Sequence, residues 1–283
     1  MELGVNVPNF GPGTNPARLR DWARVVEGLR YDLLMVSDHM VITPDVAEQY
    51  PAPFYEPFTT LSWLAGITER VRLGTTVLIA PYRHPLLVAR MAANLNALSG
   101  GRLVLGVGVG WARQEFEALG AEHAHRGRRT DEVLAEVRRA WADTADYGNG
   151  AIPIWVGGSS TAGLRRTVRY GDAWHPLRQT IEQLRDGLDR LRTVAASENR
   201  PVPGFAPRIL LRLTDEPLSD DDRVAGEGSI EQVMQDLAVL RELGAQSVVL
   251  DPFVGDPDET ERPEAAWQAL ATIAAHRSGL ETT

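Results

Sequence analysis

The sequence predicts an α/β fold, a (β/α)₈ or TIM barrel formed as one domain over residues 1–283. Three observations point there. Eight short apolar runs recur along the chain. Longer amphipathic stretches separate them, as strand–helix alternation requires. No GxGxxG fingerprint follows the first run, where an open doubly wound sheet would carry one. The segment there is Pro8-Asn9-Phe10-Gly11-Pro12-Gly13, with two prolines.

In chain order, Leu3–Val7 and Leu33–Val36 are continuous apolar runs, as expected of parallel strands buried on both faces. Between them Asn15 supplies an N-cap and Pro16 an N1 residue for a helix. Leu19, Trp22, Val26 and Leu29 form its apolar stripe. Val71–Val77 is the third strand. Pro85 opens a mostly apolar helix that runs to about Leu98 and stops at Gly100-Gly101. Its scarcity of polar positions implies burial beyond the barrel, hence a homodimer. Leu103–Val107, Ile154–Val156 and Ala173–His175 follow as strands four to six. Thr180 with Gln183 fits a capping box ahead of Leu184, Leu188 and Leu191. Ile209–Leu213 reads as strand seven. Ser229 with Gln232 fits a second box ahead of Val233, Leu237 and Leu240. Ser247–Leu250 is strand eight, and Pro263 precedes a last helix with Trp267, Leu270 and Ile273. Trp22, Trp63, Trp141 and Trp267 fall in helical patterns and are expected in the core.

Composition narrows the chemistry. Hydrophobic residues make up 43%, enough for a sizeable core without staples. There is no cysteine, which excludes disulfides, thiolate metal sites and a cysteine nucleophile. All 29 basic residues are arginine, so no lysine is present for a Schiff base or a P-loop. With 38 acidic residues the net charge is −9, which argues against a nucleic-acid surface. No apolar run reaches the ~18 residues of a membrane span. No signal segment is visible at the start, so a cytoplasmic protein is expected.

In a barrel of this kind chemistry sits at the C-terminal strand ends. There the chain offers Phe10, Asp38-His39, Thr76-Val77, Trp111, Trp174 and His175. A histidine at a strand end can move a proton near neutral pH, and it can equally be a satisfied loop residue. Gly157-Gly158-Ser159 precedes a helix and could seat a phosphate on free N–H groups, or simply make a tight turn. Gly106, Gly108 and Gly110 alternate and leave one face bare for a flat ring, unless they serve close packing. His123-Ala124-His125 has no carboxylate cluster beside it, so no metal is expected. Arg126, Arg128 and Arg129 could meet an anionic tail or pair with Asp131 and Glu132.

Read together, several segments resemble one family. They are GVNVPNFGP, YDLLMVSDHM, RVRLGTTVLIAPYRHPLLVARMAANLNALSGGRLVLGVGVGW, RGRRTDE, PIWVGGSS, YGDAWHP and GEGSIEQVMQDLAVLRELGAQSVVLD. Their order and coverage resemble the luciferase-like monooxygenases, and within them the branch dependent on the deazaflavin coenzyme F420. The resemblance implies a cofactor site of Asp38, Thr76, Val77, Gly108, Gly157, Gly158 and Ser159. It implies His39 as acid/base beside the ring, a non-prolyl cis peptide at Thr76-Val77, and a phosphate held by residues 157–159. Phe10, Trp111, Trp174 and His175 would wall the pocket for a small-molecule substrate. The expected reaction is hydride transfer between F420 and that substrate. The alternatives are an FMN monooxygenase using oxygen and a non-catalytic flavin-binding protein. Two departures stand out. Trp111 replaces the glutamate of the family's sugar-phosphate dehydrogenases, and residues 141–154 are short where relatives insert a hairpin.

Overall fold

The computed structural model describes residues 1–142, 147, 151–219, 221, 223–253 and 255–277. Its strands are β1 (Glu2–Asn6), β2 (Leu33–Val36), β3 (Arg72–Thr75), β4 (Leu78–Ile79), β5 (Leu103–Gly108), β6 (Ile154–Gly157), β7 (Ala173–His175), β8 (Gly204–Phe205), β9 (Arg208–Leu210), β10 (Arg212–Leu213), β11 (Glu227–Gly228) and β12 (Ser247–Asp251). Helices α1 (Pro16–Gly28), α2 (Pro44–Ala47), α3 (Pro57–Ala65), α4 (Pro85–Leu98), α5 (Arg113–Ala118) and α6 (Arg126–Ala142) occupy the first half. In the second half lie α7 (Thr161–Tyr170), α8 (Ile181–Ser197), α9 (Ile230–Glu242) and α10 (Glu264–Ala275).

The main sheet runs β8-β7-β6-β5-β3-β2-β1-β12-β9, every pairing parallel. Residues 204–210 close it into a ring. On one side the Ala206 and Arg208 N–H groups donate to the Trp174 and Pro176 carbonyls. On the other, the Phe205 and Pro207 carbonyls accept from Gln246 and Val249. Pro207 has no N–H to give, which divides this strand into β8 and β9. The result is an eight-stranded (β/α)₈ barrel.

Strand alternation sorts the core into two layers. Leu33, Met35, Val104, Trp155, Ala173, Ala206 and Val249 come from strands all round the ring and meet inside it. The larger cluster, including Leu34, Val36, Leu105, Val156 and Trp174, fills the space between strands and helices.

The helix starts follow their local chemistry. Asn15 accepts from the Arg18 N–H at 3.0 Å, with Pro16 at N1. Both capping boxes, Thr180 with Gln183 and Ser229 with Gln232, are formed. Trp22 meets Trp267 edge to face, tying α1 to α10. Trp141 donates to the Ala89 carbonyl, tying α6 to α4. Helix α4 leaves Leu86, Leu87 and Leu98 exposed.

Two strands differ from the expected ranges. The run Val71–Val77 stops at Thr75, and the chain resumes as β4 after a cis Thr76–Val77 peptide. Gly106 makes room for this bulge, because a Cβ there would stand 2.0 Å from the Thr75 carbonyl oxygen. The run Ile209–Leu213 leaves the barrel after Leu211, whose N–H donates to the Asp251 carbonyl. Arg212 and Leu213 instead pair with β11 in a small separate sheet. The short stretch 141–154 cannot be compared along its length, since residues 143–146 and 148–150 lie outside the described residues.

Candidate active site

A cavity of about 280 Å³ opens at the C-terminal ends of the strands. It is lined by residues following β2 (Asp38, His39), β3 (Thr76, Val77), β5 (Gly108 to Trp111), β6 (Gly157, Gly158) and β7 (His175, Leu177), with Arg208 from β9. Ser37, Tyr50 and Ile79 complete the wall.

His39 is 5% exposed and its Nδ1 lies 2.6 Å from Glu115 Oε2. Glu115, on α5, is wholly buried. Its Oε1 accepts from the Met40 N–H at 2.6 Å and the Val41 N–H at 3.1 Å, and its Oε2 also accepts from the Tyr82 hydroxyl at 3.0 Å. Burial works to raise the Glu115 carboxyl. The His39 bond and charge, together with the two backbone donors, outweigh it and hold the group below the usual carboxylate range. Burial and the Glu115 charge push Tyr82 far up, so its hydroxyl stays a donor. Tyr50 stacks on the His39 ring at 5.4 Å, and Phe54 and Trp111 meet it edge to face.

Asp38 lines the cavity but its oxygens are taken. Arg83 donates to both, at 2.6 and 2.9 Å, and the Ile79 N–H adds a third bond. Burial pushes the Asp38 carboxyl up and Arg83 pulls it back, while for Arg83 the bonds to Asp38 outweigh burial and raise the guanidinium. The two-pronged geometry marks the pair as ionised. It fixes the segment after β2 to the end of β4 and the turn that follows it.

The floor is a second network. Arg208 donates to the Thr76 carbonyl at 2.6 Å and to Asp251 Oδ2 through Nε and Nη2. Asn6, Arg178 and the Phe253 N–H also donate to Asp251. His175 donates from Nδ1 to the Ala206 carbonyl, so its Nε2 accepts from the Thr76 hydroxyl at 2.9 Å. Burial, with the Arg208 charge adding to it, lowers His175 to about 4, so this imidazole is neutral at ordinary pH.

Along β5 the alternate glycines serve close packing: a Cβ on Gly108 would meet Val77 Cγ2 at 2.5 Å and one on Gly110 would meet Ile79 Cγ2 at 2.7 Å, while both residues line the cavity. At the end of β6 the chain turns at Gly158, whose φ of +102° suits glycine alone. Ser160 then caps α7 by accepting from the Gly163 N–H. Arg190, which also pairs with Asp186, donates to the Ser159 carbonyl and fastens this turn to α8. The donor set suits a planar heterocycle with a phosphate-bearing arm.

Nine of the twelve expected residues line this cavity: Asp38, His39, Thr76, Val77, Gly108, Trp111, Gly157, Gly158 and His175. Ser159 stands just behind the turn, receiving a hydrogen bond from Gln179. Phe10 is fully buried behind Tyr50 and does not reach the opening. Trp174 does not wall the pocket either. It points outward from β7, stacks on Phe205 and fills the space left by the missing side chain of Gly187. The arginines opening α6 are not at the cavity: Arg128 and Arg129 pair with Glu132, and Arg126 donates to the His123 carbonyl. Among the described residues no group of metal ligands occurs. Glu115, Arg208 and Tyr50 were not foreseen. A glutamate beside Phe116 on a short helix, and an arginine directly before an apolar run, were the available signals.

The profile of the luciferase-like monooxygenases matches residues 1–216. The chain belongs to this family. A ketoreductase for phthiodiolone and phenolphthiodiolone dimycocerosates from Mycobacterium tuberculosis is 30% identical over 282 residues, spanning 87% of this chain and 72% of that protein. Among solved structures, an F420-dependent secondary alcohol dehydrogenase with an F420–acetone adduct superposes with a TM-score of 0.74 at 15% identity, over 95% of this chain and 98% of its own. The oxygenating constituent of 3,6-diketocamphane monooxygenase from Pseudomonas putida, with FMN, also gives 0.74, at 17% identity over 97% and 96%. At these identities the two structures speak for the fold. The family and the ketoreductase relative make this chain an oxidoreductase. Among the described residues no helix is long and apolar enough to cross a membrane.

Proposed function

We propose that this member of the luciferase-like family is an F420-dependent oxidoreductase that interconverts a neutral, apolar ketone and its alcohol, with His39 as acid/base. The observation that carries this reading is the cavity-lining imidazole of His39, whose Nε2 has no hydrogen-bond partner among the described residues. The other charged side chains lining the cavity are paired, Asp38 with Arg83 and Arg208 with Asp251, so nothing there is free to hold a charged substrate. Trp111 and Leu177, both lining and both exposed, extend an apolar surface to the rim. A cavity of about 280 Å³ takes a ring and a small reacting group, so the remainder of a larger substrate lies along that rim. The ketoreductase relative supports the same chemistry.

Gly157, Gly158 and Ser159 would hold the cofactor phosphate, with Val77 and Gly108 against the ring. A reduced deazaflavin, when bound, supplies a hydride to the carbonyl carbon. His39 gives the accompanying proton to the carbonyl oxygen from Nε2, or takes it back in the reverse direction. The apolar wall excludes water from the transfer. The exposed leucines of α4 support a homodimer, which sedimentation measures.

Titrating the apoprotein separately with F420 and FMN tests the cofactor. Tight binding of F420, followed by ketone-dependent oxidation of its reduced form, is the expected result. Selective FMN binding with oxygen consumption overturns it in favour of a monooxygenase. Binding with no turnover across ketones and alcohols leaves a flavin-binding protein.

A further inference from the structure

We infer that Glu115 is a positioning residue that decides which ring nitrogen of His39 carries the hydrogen. The inference rests on the reading of His39 as the proton-transferring group, and its test does not depend on that reading.

The argument begins with donors and acceptors. An ionised carboxylate has no hydrogen to give. With Glu115 Oε2 at 2.6 Å, the Nδ1 of His39 must therefore be the donor. A neutral imidazole carries one N–H only, so its hydrogen sits on Nδ1 and Nε2 is bare. Nε2 is the nitrogen left over for the cavity. The rings of Tyr50, Phe54 and Trp111 enclose the imidazole and oppose its turning over. Glu115 thus hands the exchangeable position to the substrate side.

The same contacts predict what an amide would do in its place. Met40 and Val41 present backbone N–H groups to Oε1, and neither can become an acceptor. In Glu115→Gln the side-chain carbonyl must take that position. The amide NH₂ then occupies the place of Oε2, facing His39 Nδ1 and the Tyr82 hydroxyl. An NH₂ group donates, so Nδ1 becomes the acceptor and the hydrogen moves to Nε2. The Tyr82 hydroxyl can turn to accept. A substitution that keeps the side chain's size thereby inverts the tautomer of a residue 76 positions away. If Glu115 only fastened the backbone at residues 40–41, the tautomer would not respond.

The test is a two-bond ¹⁵N–¹H spectrum of the imidazoles at alkaline pH, without cofactor or substrate, in wild type and Glu115→Gln. The chain has six histidines, and the His39 signals are assigned by their loss in His39→Gln. The expected result is Nδ1–H with bare Nε2 in wild type, and Nε2–H in Glu115→Gln. Alcohol oxidation should then fall roughly 10²-fold in kcat, with cofactor affinity unchanged. Nε2–H in wild type, or one tautomer in both proteins, overturns the inference. Should Glu115→Gln not fold, the wild-type spectrum still decides, and Tyr82→Phe must keep the wild-type tautomer because the carboxylate remains. Failure of F420 turnover would remove the proposed reaction and leave this spectrum untouched.

Discussion

The Arg208 guanidinium donates to the carbonyl of Thr76 at 2.6 Å, joining two residues 132 positions apart across the barrel floor. The other side of the same guanidinium holds the wholly buried Asp251. Removing it in Arg208→Ala leaves that carboxylate with Asn6, Arg178 and the Phe253 N–H. Breaking a buried pair from one side costs about 3–5 kcal/mol. Urea unfolding should show a loss near the low end of that range, because Arg178 stays. Arg208→Lys, which keeps the charge without the fork, should lose less.

His39→Ala should reduce turnover by about 10²–10⁴-fold, the usual contribution of a positioned acid/base. His39 follows β2 and the 157–159 turn ends β6, with β3 and β5 between them in the sheet, so cofactor affinity measured by fluorescence titration should be nearly unchanged. Undiminished turnover would take His39 out of the reaction.

Gly158→Ala probes the turn itself. Open space surrounds the position, so no clash arises, but a φ of +102° strains any residue with a Cβ. A cost on the order of 1 kcal/mol is expected. Cofactor binding should weaken about tenfold, equivalent to about 1.4 kcal/mol, with little change in turnover at saturation.

The neutral His175 makes stability depend on pH. Its folded value of about 4 lies below the ordinary 6.5. Above 6.5 neither state binds the proton and there is no effect. Between 6.5 and about 4 the unfolded chain takes a proton that the native protein refuses. Stability therefore falls as pH falls through that window, by about 3 kcal/mol in all. Denaturant titrations at pH 7 and pH 4.5 should show a drop in wild type that is smaller in His175→Asn.

The starts of α1, α8 and α9 were legible because caps are local: Asn15, Thr180 and Ser229 each bond to a residue three positions on. Strand order was legible because buried parallel strands are apolar throughout. Glu115 was not, since its partner lies far back in the chain and an isolated glutamate reads as surface. The end of strand seven was misread because Leu211 to Leu213 stay largely apolar after the backbone has left the barrel. Trp174 could have been placed. Neighbours on a strand face opposite sides, so once His175 faces the cavity its predecessor must face the helices.

That outward tryptophan governs more than packing. Its Nε1 donates to the Gly158 carbonyl at 2.9 Å, while its ring is seated against Gly187 of α8. The height of the glycine turn above the barrel is thus gauged by an indole that lies outside the cavity lining. A methyl group added at Gly187 would stand 2.1 Å from that indole and displace it. The position of that turn can therefore be changed from a helix on the far side of the sheet.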